Sequence, residues 1–224
     1  ARVVPQAFPG SFNSRVNAET VGNPVREDIM AIAPPVERYA KRQGPIRLLV
    51  LGGSQGSLAL NRTVPAALAE LDAERRPVVR HQCGERTIKT AENAYSEHHL
   101  DVELLPFIED MAGAYGWADM VVCRAGALTV AELCAAGLPA IFVPYPSAVD
   151  DHQTANARPM SEAGAAAIVQ ESDLTPEVLA GLLRDWLRSR EALKARAEKA
   201  RALAAPNALG RITELCMAQA GGLE

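Results

Sequence analysis

The chain has 224 residues, 48% hydrophobic and 22% charged, the composition of one large folded domain or two small ones rather than of a disordered chain. Its 27 acidic and 23 basic side chains leave a formal charge of −4, a balance that offers no basic field for gripping a nucleic-acid backbone. Aromatic residues make up only 4%, which also argues against base-stacking platforms.

Residues 1–44 are punctuated by Pro5, Pro9, Gly10, Gly22, Pro24, Pro34, Pro35 and Gly44 and read as a connecting segment rather than a core. The start at Ala1, running at once into Val3-Val4-Pro5, reads as mid-structure, so the chain is expected to be a piece of a longer protein. From Pro45 the pattern changes. Ile46–Leu51 is an apolar run closed by Gly52-Gly53-Ser54-Gln55-Gly56, the mark of a buried strand ending in a tight turn. Val64, Ala67, Leu68 and Leu71 then fall at helical spacing, with Pro65 weakening the helix around it. The alternation continues: strand Pro77–His81, helix Glu85–Tyr95, strand Val102–Leu105, helix Asp110–Tyr115, strand Met120–Cys123, helix Leu128–Ala136, strand Ala140–Val143, helix Gln153–Ala163, strand Ala167–Val169. Strands alternating with helices imply βαβ units, a parallel sheet and right-handed crossovers with helices on both faces. After Asp173 the chain turns helical, with Thr175 an N-cap and Pro176 behind it. Leu179, Leu182, Leu183 and Trp186 form one apolar stripe, Glu191–Ala205 is rich in helix formers, and Pro206-Asn207 precedes a last helix bearing Leu209, Ile212, Leu215 and Cys216. The longest apolar run, Leu133–Val143, is shorter than the roughly 20 residues of a membrane span. The 4 cysteines lack CxxC spacing, which suits a reducing compartment better than a disulfide framework or zinc site.

Parallel α/β sheets bind ligands at the carboxyl ends of their strands, and three such loops are unusual. In Gly52–Ser57, glycines let a backbone approach an anion, with a helix start behind it; a tight turn without ligand is the alternative. In Arg124–Glu132, a second strand-to-helix loop, Glu132 could accept two hydrogen bonds from ribose hydroxyls, or Thr129 and Glu132 could form a capping box; spacing does not separate the two. In Pro144–Asn156, His152, Gln153 and Asn156 could read sugar hydroxyls, while Asp150 or Asp151 could cap the next helix. Arg26, after Gly22-Asn23-Pro24-Val25, could neutralise a pyrophosphate. No Asp-x-Asp pair suited to a divalent metal, no metal-ligand histidine spacing and no nucleophile elbow is present. The expectation is a nucleoside diphosphate held by amide dipoles and arginine, with no metal and no cofactor.

Taken in order, Gly22–Arg26, Gly52–Gly56, Phe107-Ile108-Glu109-Asp110-Met111, Cys123–Thr129 with Glu132, Ala136–Pro139 and His152–Ala157 resemble the bacterial N-acetylglucosaminyltransferases that convert lipid I to lipid II in peptidoglycan synthesis. The resemblance runs from about Phe8 to Ala205. It implies the donor half of the two-lobed GT-B fold: residues 1–44 as the end of the acceptor lobe and the linker, 45–205 as the Rossmann-like donor domain, and 206–224 as a C-terminal helix and tail. It implies Ser54 and nearby amides on the diphosphate with Arg26 beside them, and Ile108 holding the uracil through its backbone with Met111 flanking it. Ala127, Leu128 and Thr129 would line the phosphate and ribose, Glu132 would take the ribose hydroxyls, and Gln153 with His152 would read N-acetylglucosamine. The implied partners are UDP-N-acetylglucosamine and, through the other lobe, lipid I, at the cytoplasmic side of the inner membrane. The general base would lie in the lobe this sequence lacks, so no catalytic residue is expected here, and the chain alone is expected to be soluble and to bind donor without turnover. A UDP-N-acetylglucosamine 2-epimerase or a non-catalytic UDP-sugar-binding module are the alternatives.

Overall fold

The computed structural model describes residues 3–9, 12, 15–146 and 151–220. The segment before Pro45 is more than a connection. It carries two short parallel strands, β1 (Val4–Gln6) and β2 (Ala18–Thr20), and two short helices, α1 (Glu27–Met30) and α2 (Pro35–Ala40). Proline at the first position of α2 gives up an N–H that would have no partner there. Ile29 and Tyr39 are buried, one in each of the two cores described next.

The main sheet has six parallel strands, β3 (Arg47–Leu51), β4 (Val78–Gln82), β5 (Glu103–Leu105), β6 (Met120–Cys123), β7 (Ala140–Phe142) and β8 (Ala166–Ile168), in the order β5-β4-β3-β6-β7-β8. This is the expected α/β architecture. The intervening helices are α3 (Leu58–Ala69), α4 (Ile88–Glu97), α5 (Met111–Trp117), α6 (Ala127–Ala136) and α7 (His152–Glu162). Helices α8 (Pro176–Trp186), α9 (Arg190–Ala202) and α10 (Ala208–Ala220) close the chain. Successive strand residues face opposite sides. Leu48 and Val50 therefore join the core under α3, α4 and α8, while Leu49 and Leu51 join the core under α5, α6 and α7. With helices on both faces, the central strands β6 and β7 are wholly apolar and buried.

Differences from the sequence reading lie mostly at element ends, where frayed turns share the composition of the helix. The first helical stretch after the glycine loop stops at Ala69, so Leu71 contributes to the core from the following turn. Pro65 sits inside α3, its ring in the core. Thr175 caps α8 by accepting from the Val178 N–H at 3.3 Å, as expected. On α10, Leu209 is exposed whereas Ile212 and Leu215 are half-buried.

Charged side chains bind the amino-terminal edge of the sheet to its neighbours. The Asp119 carboxylate is fully buried. It accepts from the Arg47 N–H at 3.0 Å and meets Arg190 and Arg42, each at 3.1 Å. Arg38 donates to the carbonyls of Ala136 and Gly137 at 2.6 and 2.8 Å, closing the end of α6.

His81, in β4, is enclosed in the core, with Nδ1 at 2.9 Å from the Tyr95 hydroxyl. Burial pushes its imidazole down to about 3, against about 6.5 in an unfolded chain. Below pH 6.5 the unfolded state therefore takes up a proton that the native state refuses. This contribution is complete above pH 6.5 and is lost as the pH falls towards 3. Between pH 7 and 5 it should remove about 2 kcal/mol of stability. His81→Asn, which keeps an amide where Nδ1 stood, should abolish that part of the slope. Urea denaturation at the two pH values measures it, and equal pH dependence in both proteins would contradict the assignment.

Candidate functional site

The strand order reverses between β3 and β6, and the crevice at such a switch point is where open parallel sheets bind ligands. The loops leaving these two strands are the glycine loop 52–57 and the loop 124–126. Gly53 and Gly56 have φ of 81° and 75°, a region that side chains rarely enter. A Cβ on Gly56 would strike the Cys83 carbonyl, and one on Gly84 would strike the Gly56 backbone. The glycines thus serve close packing of two loops as well as an open backbone face at Gly53.

Gln82 fixes that loop from the neighbouring strand. Its Oε1 accepts from the Gly53 N–H at 3.1 Å and its Nε2 donates to the Gly53 carbonyl at 2.8 Å. Ser57 caps α3, accepting from the Leu60 N–H at 3.3 Å. Arg124 ties the two loops together, donating to the Ser57 hydroxyl at 2.8 Å and to the carbonyls of Val143 and Pro144 at 3.1 and 3.2 Å. It also pairs with Glu171.

Between the loops lies a cleft of about 210 Å³. Ser54, Ile108, Met111, Thr129 and Glu132, named from the sequence, all line it, together with Gln82, Phe107, Tyr115 and Arg124. Glu132 is half-buried and accepts from the Tyr115 hydroxyl at 2.9 Å. Burial and the adjacent Glu132 carboxylate push the Tyr115 phenol well above its usual range, while Arg26 opposes the shift. Tyr115 therefore stays a neutral donor and fixes the carboxylate, leaving it lone pairs directed at the cleft.

The capping-box alternative fails. The N-cap of α6 is Gly126, which has no side chain to offer, and Thr129 lies inside the helix. The first amides of α6 therefore point outward without a side-chain cap, and Glu132 is committed to Tyr115. Ala127 and Leu128 open α6 between the cleft-lining Arg124 and Thr129; Leu128 is exposed. Arg26 immediately precedes α1, exposed and 3.9 Å from Asp28, close enough for its charge to act on Tyr115.

Gln153 has a task in the fold that its spacing did not reveal. Its Oε1 accepts from the N–H groups of Ala125 and Tyr145 at 3.2 and 3.0 Å. This holds the loops after β6 and β7 together and leaves the amide nitrogen as a donor. Asn156 adds a bond to the Ala125 carbonyl at 3.1 Å. His152 is exposed at the first position of α7. Asp151 occupies the N-cap position without capping, accepting instead from the Thr154 hydroxyl at 2.6 Å; Asp150 lies outside the described residues. Tyr115, Gln82 and Arg124 were not singled out as site residues in the sequence reading. A second glycine turn at Gly84 was the one local sign that the loop after β4 packs on the first. Among the described residues, no group of three or more His, Cys, Asp or Glu side chains could hold a metal ion, and no helix is long and apolar enough to cross a membrane.

The model of the glycosyltransferase family 28 C-terminal domain matches residues 47–212. The chain belongs to this family. This family 28 domain is 49% identical over 222 residues to the UDP-N-acetylglucosamine–N-acetylmuramyl-(pentapeptide) pyrophosphoryl-undecaprenol N-acetylglucosamine transferase of Marinobacter nauticus. The match covers 99% of this chain and 61% of the relative. The protein of the same name in Alkalilimnicola ehrlichii is 52% identical over 220 residues, 98% of this chain and 61% of the relative. Among solved structures, Acinetobacter baumannii MurG superposes with a TM-score of 0.83 at 41% identity, covering 96% of this chain and 60% of that one. The family 28 domain thus spans about three-fifths of the length of these relatives.

Proposed function

We propose that this chain is the donor-binding lobe of an inverting glycosyltransferase that moves N-acetylglucosamine from UDP-N-acetylglucosamine to the C4 hydroxyl of the muramyl sugar of lipid I, giving lipid II. The observation that carries this reading is the Glu132–Tyr115 pair set in a cleft between two strand-to-helix loops. The names of the relatives point to the same substrates.

Uridine would enter over Met111, its base meeting the Ile108 backbone. The carboxylate of Glu132 would accept from both ribose hydroxyls. The diphosphate would lie across Ser54 and the amides that open α3 and α6, near Ala127, Leu128 and Thr129, with Arg26 adding positive charge. Donors preorganised around a departing diphosphate stabilise the charge that develops as the glycosidic bond breaks. Deprotonation of the attacking hydroxyl requires a base. In this reading the base belongs to the part of the relatives this chain does not span, so the chain alone binds donor without turnover. The complete enzyme would work peripherally, at the cytoplasmic side of the inner membrane, where lipid I is presented.

Gln153, its carbonyl oxygen committed to backbone, would present its amide nitrogen to the sugar, with His152 beside it. Calorimetry should show UDP-N-acetylglucosamine bound about tenfold more tightly than its C4 epimer, the value of one hydrogen bond. Equal affinities would remove this role from Gln153.

A further inference from the structure

At the opposite end of the sheet, where β3 and β4 begin, lies a second concave site of about 440 Å³. It is unlike the cleft at the strand tips. Four arginines, Arg75, Arg76, Arg188 and Arg190, line it against one carboxylate, Glu74. Two of the four are fixed. Arg76 donates to the carbonyls of Leu68, Ala69 and Leu71, each at 3.2 Å, at the end of α3. Arg190 is held by Asp119 at 3.1 Å and by the Gly44 carbonyl at 2.8 Å. The other two are exposed, and neither guanidinium has a partner among the described residues. A smaller adjoining hollow shares Arg75 and Arg188 and adds Asp72 and Arg184, the latter already paired with Glu70 at 3.0 Å.

Like charges gathered in a hollow repel one another, and a chain of net charge −4 has carboxylates enough to neutralise them, yet Arg75 and Arg188 stand unpaired. We infer that this hollow is an anion site for a phosphate-bearing ligand, separate from the glycine loops. Arg76 and Arg190 form its rigid wall, and Arg75 and Arg188 close on the anion. Guanidinium forks match phosphate oxygens in pairs, which a lysine cluster would not do. The hollow's volume admits a diphosphate or a phosphorylated sugar. Its concavity favours a small molecule over a flat bilayer, although a lipid headgroup presents the same chemistry.

The test is titration of the full chain and of an Arg75→Ala/Arg188→Ala double variant with inorganic pyrophosphate, read by backbone amide NMR. Both side chains are exposed and unpaired, so the variant should fold. Wild type should show saturable shifts at Gly44, Ile46, and residues 73–76 and 187–190, and the double variant should bind there at least about tenfold more weakly. Shifts at the glycine loops, at the other end of the sheet, are counted separately and do not bear on this site. Co-sedimentation with vesicles of phosphatidylethanolamine and phosphatidylglycerol distinguishes the sources. Retention of wild type but not of the variant, without pyrophosphate shifts, assigns the site to a headgroup. Absence of both signals, or signals equal in the two proteins, overturns the proposal.

Discussion

Glu132→Gln is expected to weaken UDP binding by roughly 30-fold, since hydrogen bonds to a charged acceptor contribute about 1.5–3 kcal/mol and 1.4 kcal/mol is a factor of ten. The substitution keeps the shape of the side chain and still offers Tyr115 an oxygen to donate to, so thermal stability should change little. The position inside α6 supports this separation, because Gly126 rather than Thr129 occupies the N-cap and Glu132 has no capping task to lose. The ribose role has its own control. Wild type should bind 2′-deoxy-UDP more weakly than UDP, and Glu132→Gln should bind the two nearly alike. A large fall in melting temperature with unchanged UDP affinity would mean that Glu132 serves the fold alone.

The largest loss of stability is expected at Asp119→Ala. The carboxylate is fully buried and faces Arg42, Arg190 and the Arg47 N–H. Removing one partner of a buried ionic cluster leaves the others uncompensated, which costs about 3–5 kcal/mol. Arg42 and Arg190 keep 12% and 24% of their side-chain surface in water, and partial rehydration places the expected cost near the lower figure, about 3 kcal/mol. In a domain of this size that corresponds to a melting temperature roughly 10 °C lower. Urea unfolding measures the change directly, and a loss below about 1 kcal/mol would show that the arginines reach water unaided. The substitution also frees Arg190 at the edge of the arginine-lined hollow, so it is unsuitable for testing that site.

Much of the sheet was readable because the information is local. Strands β6, β7 and β8, and β3 after Arg47, are short apolar runs, and the glycine loops lie at strand ends, where a ligand crevice forms. The motifs that carry the family resemblance are likewise contiguous stretches. What escaped the reading depends on residues far apart in sequence. Tyr115 and Glu132 meet only because α5 and α6 pack side by side, and Asp119 gathers Arg42, Arg47 and Arg190 only once the strands are aligned. Gln82 lay just beyond the expected strand Pro77–His81 and gave no sign of a clamp on Gly53, because nothing local distinguishes an inward amide from a solvated one. The capping-box pattern at Thr129 and Glu132 was ambiguous for a related reason. The same spacing fits any register of the helix start, and Gly126 set the register through its backbone, without contributing a side chain. Residues 1–44 were rich in turn formers, which hid Ile29 and Tyr39 as anchors for both faces of the sheet.

The account rests on backbone amides, helix starts and arginine gripping a nucleoside diphosphate. Calorimetric titration of the chain with UDP and with uridine, each with and without a chelator, tests it most directly. The result expected is one UDP per chain, with uridine bound at least about a hundredfold more weakly and the chelator without effect. Equal affinity for UDP and uridine, or loss of UDP binding on chelation, would contradict it.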